Sequence, residues 1–318
     1  VRNGLLKHNV KFIFEGEEEV GSKNLPAWVE ANKERLACDV ILVSDTTMLS
    51  DKVPSINCGM RGVTYLQVNV KGPDKDLHSG HYGGAVANPI NTLCDMISSL
   101  IDKDGRVTIP GFYDDVEELS AEDRASLARA PFDMEEYKES IGIKEVKGEK
   151  GYTTLERTAI RPCLDVCGIW GGYTGVGSKT VLPSEAHAKI SMRIVPNQKA
   201  DKIIDLAAKH ILAIAPPYVE VSVEKMEAGN GFLIPITSPA YKAASRAMTE
   251  VYGIEPVPSR GGGSICVLAD MRNILGADPL LMGFGLERDT IHSPNESYLL
   301  RQFYAGIESI TLFYEYWK

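Results

Sequence analysis

The first 45 residues place the strongest constraint on the fold, because two apolar runs in them flank an amphipathic stretch. The run at 10–14 is rich in β-branched and aromatic residues and predicts a buried strand. Residues 23–37 have the spacing of an amphipathic helix, and residues 39–45 contain a second apolar strand. A strand, a helix and a strand in this order are typical of a sheet covered on both faces. The chain is therefore predicted to have an α/β fold.

Acidic residues follow both predicted strands. Glu17, Glu18 and Glu19 lie just beyond the first strand, and Asp45 ends the second. Ligands collect at the carboxyl ends of strands in such sheets, and adjacent carboxylates raise each other's pKa unless a cation relieves them. Together with His292, in a turn before the last predicted helix, they form a donor set that suits Zn²⁺, Mn²⁺ or Co²⁺. The residues alone leave open a solvated acidic turn, a helix cap at Asp45 and an ordinary turn histidine.

A second kind of sheet is predicted in the middle of the chain. Residues 63–70 alternate between apolar and polar side chains, which indicates a strand with one solvated face. Further strands at 186–195 and 218–225 and helices near 88–101 and 201–215 make this segment an α+β domain. Two short helices are predicted in a polar excursion, at 120–129 and 134–140. From about residue 231 the first pattern resumes, with a helix predicted from Ser238-Pro239 to about Tyr252, so the α+β domain is predicted to be an insertion.

Composition excludes several classes of function. The 318 residues carry a net charge of −9, which argues against binding to a nucleic-acid backbone. No run of 18 apolar residues is present, so no membrane span is predicted. The six cysteines form no CxxC pair, which is typical of reduced thiols in a cytoplasmic protein. The sequence begins at Val1 and soon enters an apolar run, which we interpret as a fragment that lacks earlier elements.

Seven ordered motifs carry a resemblance to a known family. They are Phe-Glu-Gly-x-Glu-Glu-x-Gly-Ser from residue 14, Ser-Asp at 44–45, Asp-Leu-His-Ser-Gly from 76, Lys-Thr-Val-Leu-Pro from 179, Ser-Met-Arg-Ile-Val-Pro from 191, Gly-Gly-Ser from 262 and His-Ser-Pro-Asn-Glu from 292. In this order the chain resembles the M20 metallopeptidases, in particular their carnosinase-like, cytosolic nonspecific dipeptidase branch. The resemblance implies a catalytic metal-binding domain at 1–60 and 232–318, with a lid and dimerisation domain at 61–231.

The resemblance also implies a role for individual residues. It expects Glu18 to be the general base and His78 to stabilise the oxyanion in a neighbouring subunit's active site. The expected metal ligands are Glu19, Asp45 and His292, and the expected substrate contacts are Arg193, which would hold the substrate carboxylate, Thr180, Gly263 and Ser264. Without the motifs, a surface position in a loop would be the preferred interpretation of His78, and a solvated strand face that of Arg193.

The implied activity is the metal-dependent hydrolysis of dipeptides by a homodimer that pairs through the lid domain. Two divalent ions are expected, zinc first and manganese or cobalt as alternatives. The family's His-x-Asp motif and bridging aspartate are not in this sequence, so the metal site is expected to be incomplete in an N-terminally truncated chain. One alternative is an N-acyl amino-acid deacylase on the same scaffold. A second alternative is a non-catalytic dimerisation or binding module.

Overall fold

The computed structural model describes residues 6–263 and 265–318. The strands in them are β1 (Ile41–Val43), β2 (Ser55–Met60), β3 (Gly62–Lys71), β4 (Leu77–His78), β5 (Cys163–Gly171), β6 (Val181–Leu182), β7 (Glu185–Ile194), β8 (Glu220–Gly229), β9 (Phe232–Leu233), β10 (Val257–Gly261) and β11 (Pro279–Leu281). The helices are α1 (Leu25–Ala31), α2 (Lys33–Leu36), α3 (Ser79–Tyr82), α4 (Pro89–Ser99), α5 (Ala121–Leu127), α6 (Met134–Ile141), α7 (Thr154–Ala159), α8 (Ala200–Ala213), α9 (Pro239–Tyr252), α10 (Cys266–Leu275) and α11 (Leu300–Tyr316). Glu18–Val20 and Glu287–Asp289 are short 3₁₀ turns.

Contacts divide the chain into two compact units. The first comprises the described residues up to Met60 together with Glu118–Lys144 and Gly231–Lys318, and the second comprises Arg61–Glu117 and Glu145–Asn230. The segment Glu118–Lys144, which falls inside the predicted 61–231 span, is thus grouped with the first unit. The assignment of catalysis to one unit and dimerisation to the other stays a prediction.

The first unit is built on a mixed sheet. Its strand order is β1-β11-β2-β10, and β9 pairs with β2. β1 is parallel to β11 and β10 is parallel to β2, while β11 and β9 run antiparallel to β2. All six residues of β2 are buried, as expected for a strand in the middle of a covered sheet. The predicted α/β class, with sheets flanked by helices, is confirmed.

The prediction of a buried strand at 10–14 is wrong. The segment has no strand structure, and Phe12 and Phe14 are 77% and 91% exposed. A strand forms only where a neighbouring strand satisfies its backbone hydrogen bonds. β1 pairs on one side with β11, and no described strand lies on its other side to receive residues 10–14. The apolar pattern shows that residues 10–14 could form a strand, but they form one only if a neighbouring strand is available to pair with them.

The predicted helix at 23–37 is split into α1 and α2. Asn32 lies between them with φ −118° and ψ 15°, and its side-chain amide donates to the carbonyl of Trp28 at 2.8 Å. Such a local bond competes with the helical backbone bonds and favours an interruption. Val29 and Leu36 are buried as the spacing predicts, whereas Trp28 is 44% exposed.

The second unit is built on an antiparallel sheet with the order β5-β7-β3-β8. Its strands β3 and β7 alternate between buried and half-buried residues, so the predicted half-solvated sheet is confirmed. The buried side chains pack with residues of α4 and α8 in one core that includes Leu66, Leu93, Ile190 and Ile203. The other face carries polar side chains, among them His187 and Arg193. β4 and β6 form a separate two-stranded sheet.

Among the described residues, no helix combines the length and the apolar composition that crossing a bilayer requires.

Candidate active site

The acidic turn that contains Glu18 and Glu19 is held in place by hydrogen bonds of the side chains before and after these two residues. Glu17 accepts hydrogen bonds from the side-chain amide of Asn24, at 2.7 Å and 2.9 Å, and its carboxylate therefore faces the start of α1. The Ser22 hydroxyl donates to the Glu15 carboxylate at 3.0 Å. Gly21 and Ser22 both have positive φ, 88° and 48°, which closes the turn tightly. Glu17 is thus used locally, while Glu18 and Glu19 remain available on the turn.

Glu18 lies in a field of like charges. Burial raises the pKa of the Glu18 carboxyl above its ordinary value, and the neighbouring carboxylates of Glu19, Asp45 and Glu15 raise it further, while His292 lowers it. Charges act on one another over several ångströms, so each of these groups lies within electrostatic range of Glu18. The glutamates of the turn, the aspartate after β1 and the histidine of the 290–295 loop therefore share one electrostatic neighbourhood.

His292 contacts the acidic turn directly. Its Nε2 and the Glu19 Oε1 are 3.1 Å apart, and both side chains are largely exposed. The loop that presents it has a strained backbone, because Thr290, His292 and Asn295 have φ values of 55°, 58° and 63°. Non-glycine residues in this region are held there by their surroundings and cluster at functional sites. A left-handed backbone at His292 therefore favours a functional role over an ordinary turn histidine.

Three further hydrogen bonds hold this loop in place. The Thr290 hydroxyl donates to the Asn295 carbonyl at 3.2 Å. The buried Asp289 carboxylate accepts from the Leu286 N–H at 2.8 Å, and its backbone carbonyl accepts from the Ser297 N–H at 3.0 Å. Asp289 is 4% exposed and was not singled out in the sequence, where it reads as one more surface acid. The signal that could have identified it is its position three residues before the histidine motif.

The gathered residues are of the right kind to bind a divalent cation. Glu19 and Asp45 offer carboxylate oxygens and His292 an imidazole nitrogen, the ligand types that zinc, manganese and cobalt accept. Glu19 and His292 are already in contact, and Asp45 is near enough to act on Glu18. Within the described ranges, no group of three or more His, Cys, Asp or Glu side chains is arranged so that it could hold a metal ion. The set fits such an ion in its chemistry and supplies part of the ligands it needs.

A cavity of about 520 Å³ lies between two segments of the first unit, and it is lined by Thr47, Met48, Leu49, Thr290, Ile291 and Ser293. These segments are the ones that carry Asp45 and His292, but neither of the two side chains is among the lining residues.

In the second unit, the structure joins His78 to Thr180. His78 ends β4 and pairs with Val181 of β6, and the Ser79 N–H donates at 3.1 Å to the carbonyl of Thr180, the residue just before β6. The His78 Nδ1 accepts from the Gly80 N–H at 3.0 Å, so its Nε2 points to the Thr180 hydroxyl, 3.4 Å away. The imidazole is thereby held in one tautomer and one orientation. Its exposed position is compatible with a surface histidine as well as with a catalytic one.

Arg193 lies on β7 at the open face of the second unit's sheet, opposite Val63 and Cys163. A second arginine, Arg61, lies nearby and is only 8% exposed. Burial chiefly lowers the pKa of the Arg61 guanidinium, and the charge of Arg193 lowers it too. Arg61 donates to the Arg161 carbonyl at 3.1 Å, which identifies it as a structural partner of the β5 region. The sequence motifs gave no reason to select Arg61.

The remaining predicted contacts lie after β10 in the first unit. Gly263 is exposed, and a Cβ built on it would meet no atom within 4 Å. Its neighbour Ser264 lies outside the described residues. The roles of Gly263 and Ser264 in substrate binding stay predictions. The catalytic, metal-binding or substrate-binding roles of the other site residues stay predictions as well, namely those of Glu18, Glu19, Asp45, His292, His78, Thr180 and Arg193.

Comparison with known proteins gives a consistent result. The profile of the Peptidase family M20/M25/M40 matches residues 1–316. The Cys-Gly metallodipeptidase dug1 of Schizosaccharomyces pombe is 33% identical over 305 residues, which cover 94% of this chain and 64% of that protein. The chain thus spans just under two thirds of this curated relative.

Solved structures agree with the profile. Human carnosine dipeptidase 1 superposes with a TM-score of 0.80 at 30% identity, over 95% of this chain and 64% of that one. The M20 family metallo-carboxypeptidase Sso-CP2 of Sulfolobus solfataricus superposes with a TM-score of 0.85 at 33% identity, over 95% and 69%. The match therefore extends across both compact units of the chain, and the chain belongs to the M20 peptidase family, with relatives in its carnosinase-like branch.

Proposed function

We propose that the protein is a metal-dependent dipeptidase that hydrolyses the peptide bond of small peptides. The observation that carries the proposal is the contact between the His292 Nε2 and the Glu19 Oε1, 3.1 Å apart, with Glu18 and Asp45 within electrostatic range of this pair. The relatives named as dipeptidases support the choice of substrate. Because the chain spans 64% of its curated relative, the activity is proposed for the complete protein.

In the proposed mechanism, Glu19, Asp45 and His292 would hold a divalent ion as part of its set of ligands. When bound, such an ion supplies the positive charge that polarises a scissile carbonyl and makes water easier to deprotonate. Glu18, next to Glu19 on the same turn, takes the proton from the attacking water and passes it to the leaving amine. Zinc is the proposed ion, and manganese or cobalt would suit the same donors.

The second unit is proposed to bind the substrate and stabilise the reaction. His78, oriented by Gly80 and Thr180, would donate to the developing oxyanion. Arg193 would hold the substrate carboxylate through its planar, two-pronged guanidinium. As expected from the resemblance, His78 would act in a neighbouring subunit, so the proposal includes a homodimer formed through the second unit. Exposed apolar residues on the edge strand β5, such as Ile169 and Trp170, are compatible with such pairing.

A cytoplasmic location is part of the proposal. No disulfide joins any cysteine in the described part of the chain, which suits a reducing compartment.

The test uses the complete protein, freed of metal with a chelator and reloaded with Zn²⁺, Mn²⁺ or Co²⁺. Dipeptides should be hydrolysed only after reloading, and N-acyl amino acids should not be. Glu18→Gln should lower kcat by about 10²–10⁴-fold while metal is still bound. Glu34→Gln on the exposed face of α2 is the matched control and should leave kcat unchanged.

Other outcomes would redirect the assignment. Turnover of N-acyl amino acids without dipeptide turnover would establish the deacylase alternative. A complete protein that binds no divalent metal and hydrolyses neither class would be a binding or dimerisation module.

A further inference from the structure

The segments that follow β1 and β11 are joined beyond the ends of the two strands. The Met282 N–H donates to the Val43 carbonyl at 2.9 Å, and the Gly285 N–H donates to the Thr46 carbonyl at 3.3 Å. The Ser44 hydroxyl adds a bond to the Met282 carbonyl at 2.9 Å. We call residues 43–48 and 282–285 together the strand-end contact. Asp45 lies in the middle of its first segment.

The contact is closest at Gly283. A Cβ atom built on Gly283 would lie 2.0 Å from the Thr46 carbonyl oxygen and 2.1 Å from the Thr46 hydroxyl. These distances are far below any tolerated van der Waals contact, and the first involves a backbone atom that a side-chain rotation cannot move. Any other residue at 283 would therefore displace Thr46. Gly285, two residues on, has its nearest neighbouring atoms at 3.6 Å, so a methyl group there makes an ordinary contact.

We propose that Gly283 is a positioning residue for the metal site, acting through Thr46 on Asp45. The inference rests on the proposed function, in which Asp45 is a ligand. Thr46 is bonded covalently to Asp45, so a displacement of the Thr46 backbone by an ångström or more also shifts the backbone of Asp45, which carries the ligand. Metal–ligand distances are satisfied only within about 0.2 Å. Glycine is thus required at position 283 if Asp45 is to reach the ion.

The same contact links the two chain segments that lead to Asp45 and to His292. The Met48 N–H donates to the Gly285 carbonyl at 2.8 Å, and Thr47 forms a bridge with Gly285. The chain then continues through the turn held by Asp289 to His292. The two proposed ligands are therefore built on adjacent, hydrogen-bonded segments of the first unit, and Gly283 fixes the spacing between those segments.

The experiment compares Gly283→Ala with Gly285→Ala in the complete protein loaded with Co²⁺. Both variants add one methyl group to the same segment, and neither glycine has a positive φ. Gly283→Ala should weaken Co²⁺ binding by about 10–100-fold and shift the visible absorption bands, which report ligand geometry. Gly285→Ala should retain the affinity and the spectrum of the unmodified protein.

A control is needed to separate a lower stability of the folded protein from a displacement of Asp45. Met248→Ala, in the buried core of the same unit, should lower the melting temperature without changing the Co²⁺ spectrum of the folded protein. If Gly283→Ala does not fold, Ser44→Ala decides the question, because it removes one hydrogen bond of the strand-end contact and no backbone atom. It should shift the spectrum in the same direction with a smaller loss of affinity.

Three results separate the inference from the proposed function. An unchanged spectrum and affinity in folded Gly283→Ala, or in Ser44→Ala where the first variant fails to fold, would overturn the positioning role. Equal effects of the Gly283 and Gly285 variants would overturn it as well. If the unmodified complete protein binds no Co²⁺ at all, it is the proposed function that fails.

Discussion

At the scale of single residues, Glu149 is the most constrained charge in the second unit. It is 5% exposed and accepts two hydrogen bonds from the guanidinium of Arg161, each 2.8 Å long. Arg106 adds a third bond at 2.9 Å. Arg161 is 2% exposed and lies over the ring of Tyr152, 4.2 Å from its centroid. One carboxylate therefore neutralises a fully buried arginine and ties the region before β5 to the 102–107 turn.

Glu149→Ala should destabilise the protein by about 3–5 kcal/mol, because it removes the buried carboxylate that bonds to the Arg161 guanidinium. The matched control is Glu30→Ala, which removes the partner of Lys33 in a pair of similar length, 2.9 Å, that is more than half exposed. It should change stability by about 0–1 kcal/mol. Urea unfolding of both variants checks the difference, and equal losses would show that the Glu149 cluster contributes no more than a surface pair.

Tyr252 gives the first unit a dependence on alkaline pH. Burial raises the pKa of its phenol to about 12, and the hydroxyl donates to the Gln302 side chain at 3.2 Å. An unfolded tyrosine ionises near pH 10, so above that pH the unfolded chain loses this proton before the folded chain does. The stability from Tyr252 is complete below about pH 10 and is lost as the pH rises towards 12.

Tyr252→Phe should therefore reduce the slope of stability against pH between about pH 10 and 12. Tyr304→Phe, on an exposed face of α11, is the control and should leave the slope unchanged. Guanidinium unfolding at several alkaline pH values measures both. An unaltered slope in Tyr252→Phe would mean that its proton is not held more tightly in the folded state.

At the scale of elements, the sequence predicted those whose signals are local. α9 begins at Pro239 because the Ser238 hydroxyl accepts the Tyr241 N–H at 3.2 Å, and this cap is legible as Ser-Pro before an apolar run. The same holds for α4, capped by Asn88. The short α7 was missed, although Thr153 and Glu156 form a capping box, because it lies in a polar excursion with little apolar spacing.

The strand expected at 10–14 shows the limit of such local signals. Its apolar residues have the composition of a strand, but no neighbouring strand in the described part of the chain is there to pair with it. Whether a neighbouring strand exists cannot be read from the residues of the segment itself. The alternation in β3 and β7 succeeded because it records burial against a helix layer, which the order of elements already implied. Alternation of apolar and polar residues, which marks one buried face, is thus a more reliable predictor of a strand than a continuous apolar run.

The core of the second unit can be tested on two isoleucines. Ile190 on β7 is 1% exposed and belongs to the core cluster, whereas Ile169 on β5 is 50% exposed. Ile190→Ala should cost about 2–5 kcal/mol through lost transfer energy and the cavity left behind. Ile169→Ala should cost less than about 1 kcal/mol. Thermal unfolding separates them, and a similar loss for both would contradict the assignment of the covered face.

At the scale of the whole molecule, each unit has its own core. The core of the second unit contains only residues of that unit, and the two core clusters of the first unit contain only residues of the first. The sequence indicated where the pattern changes, near residues 60 and 231. It gave no sign that Glu118–Lys144 is grouped with the first unit, because that depends on contacts such as those between α5 and β10.

The sequence motifs predict the residues of the candidate site and not the backbone that supports them. The motifs selected Glu18, Glu19, Asp45 and His292, and the structure shows His292 in contact with Glu19, while the roles of all four stay predictions. The motifs did not reveal Gly283, whose importance lies in the 2.0 Å that separates a hypothetical methyl group from Thr46. Side chains with chemistry are visible in a sequence, whereas the close approach of two backbones is visible only in three dimensions.

The backbone of His292 has a consequence for how this protein can change over generations. Holding an L-residue at φ 58° costs on the order of 1–3 kcal/mol, which glycine would avoid and asparagine would reduce. A laboratory selection for heat resistance alone would therefore reward the loss of this imidazole. Keeping histidine at 292 therefore limits the heat resistance that this protein can attain.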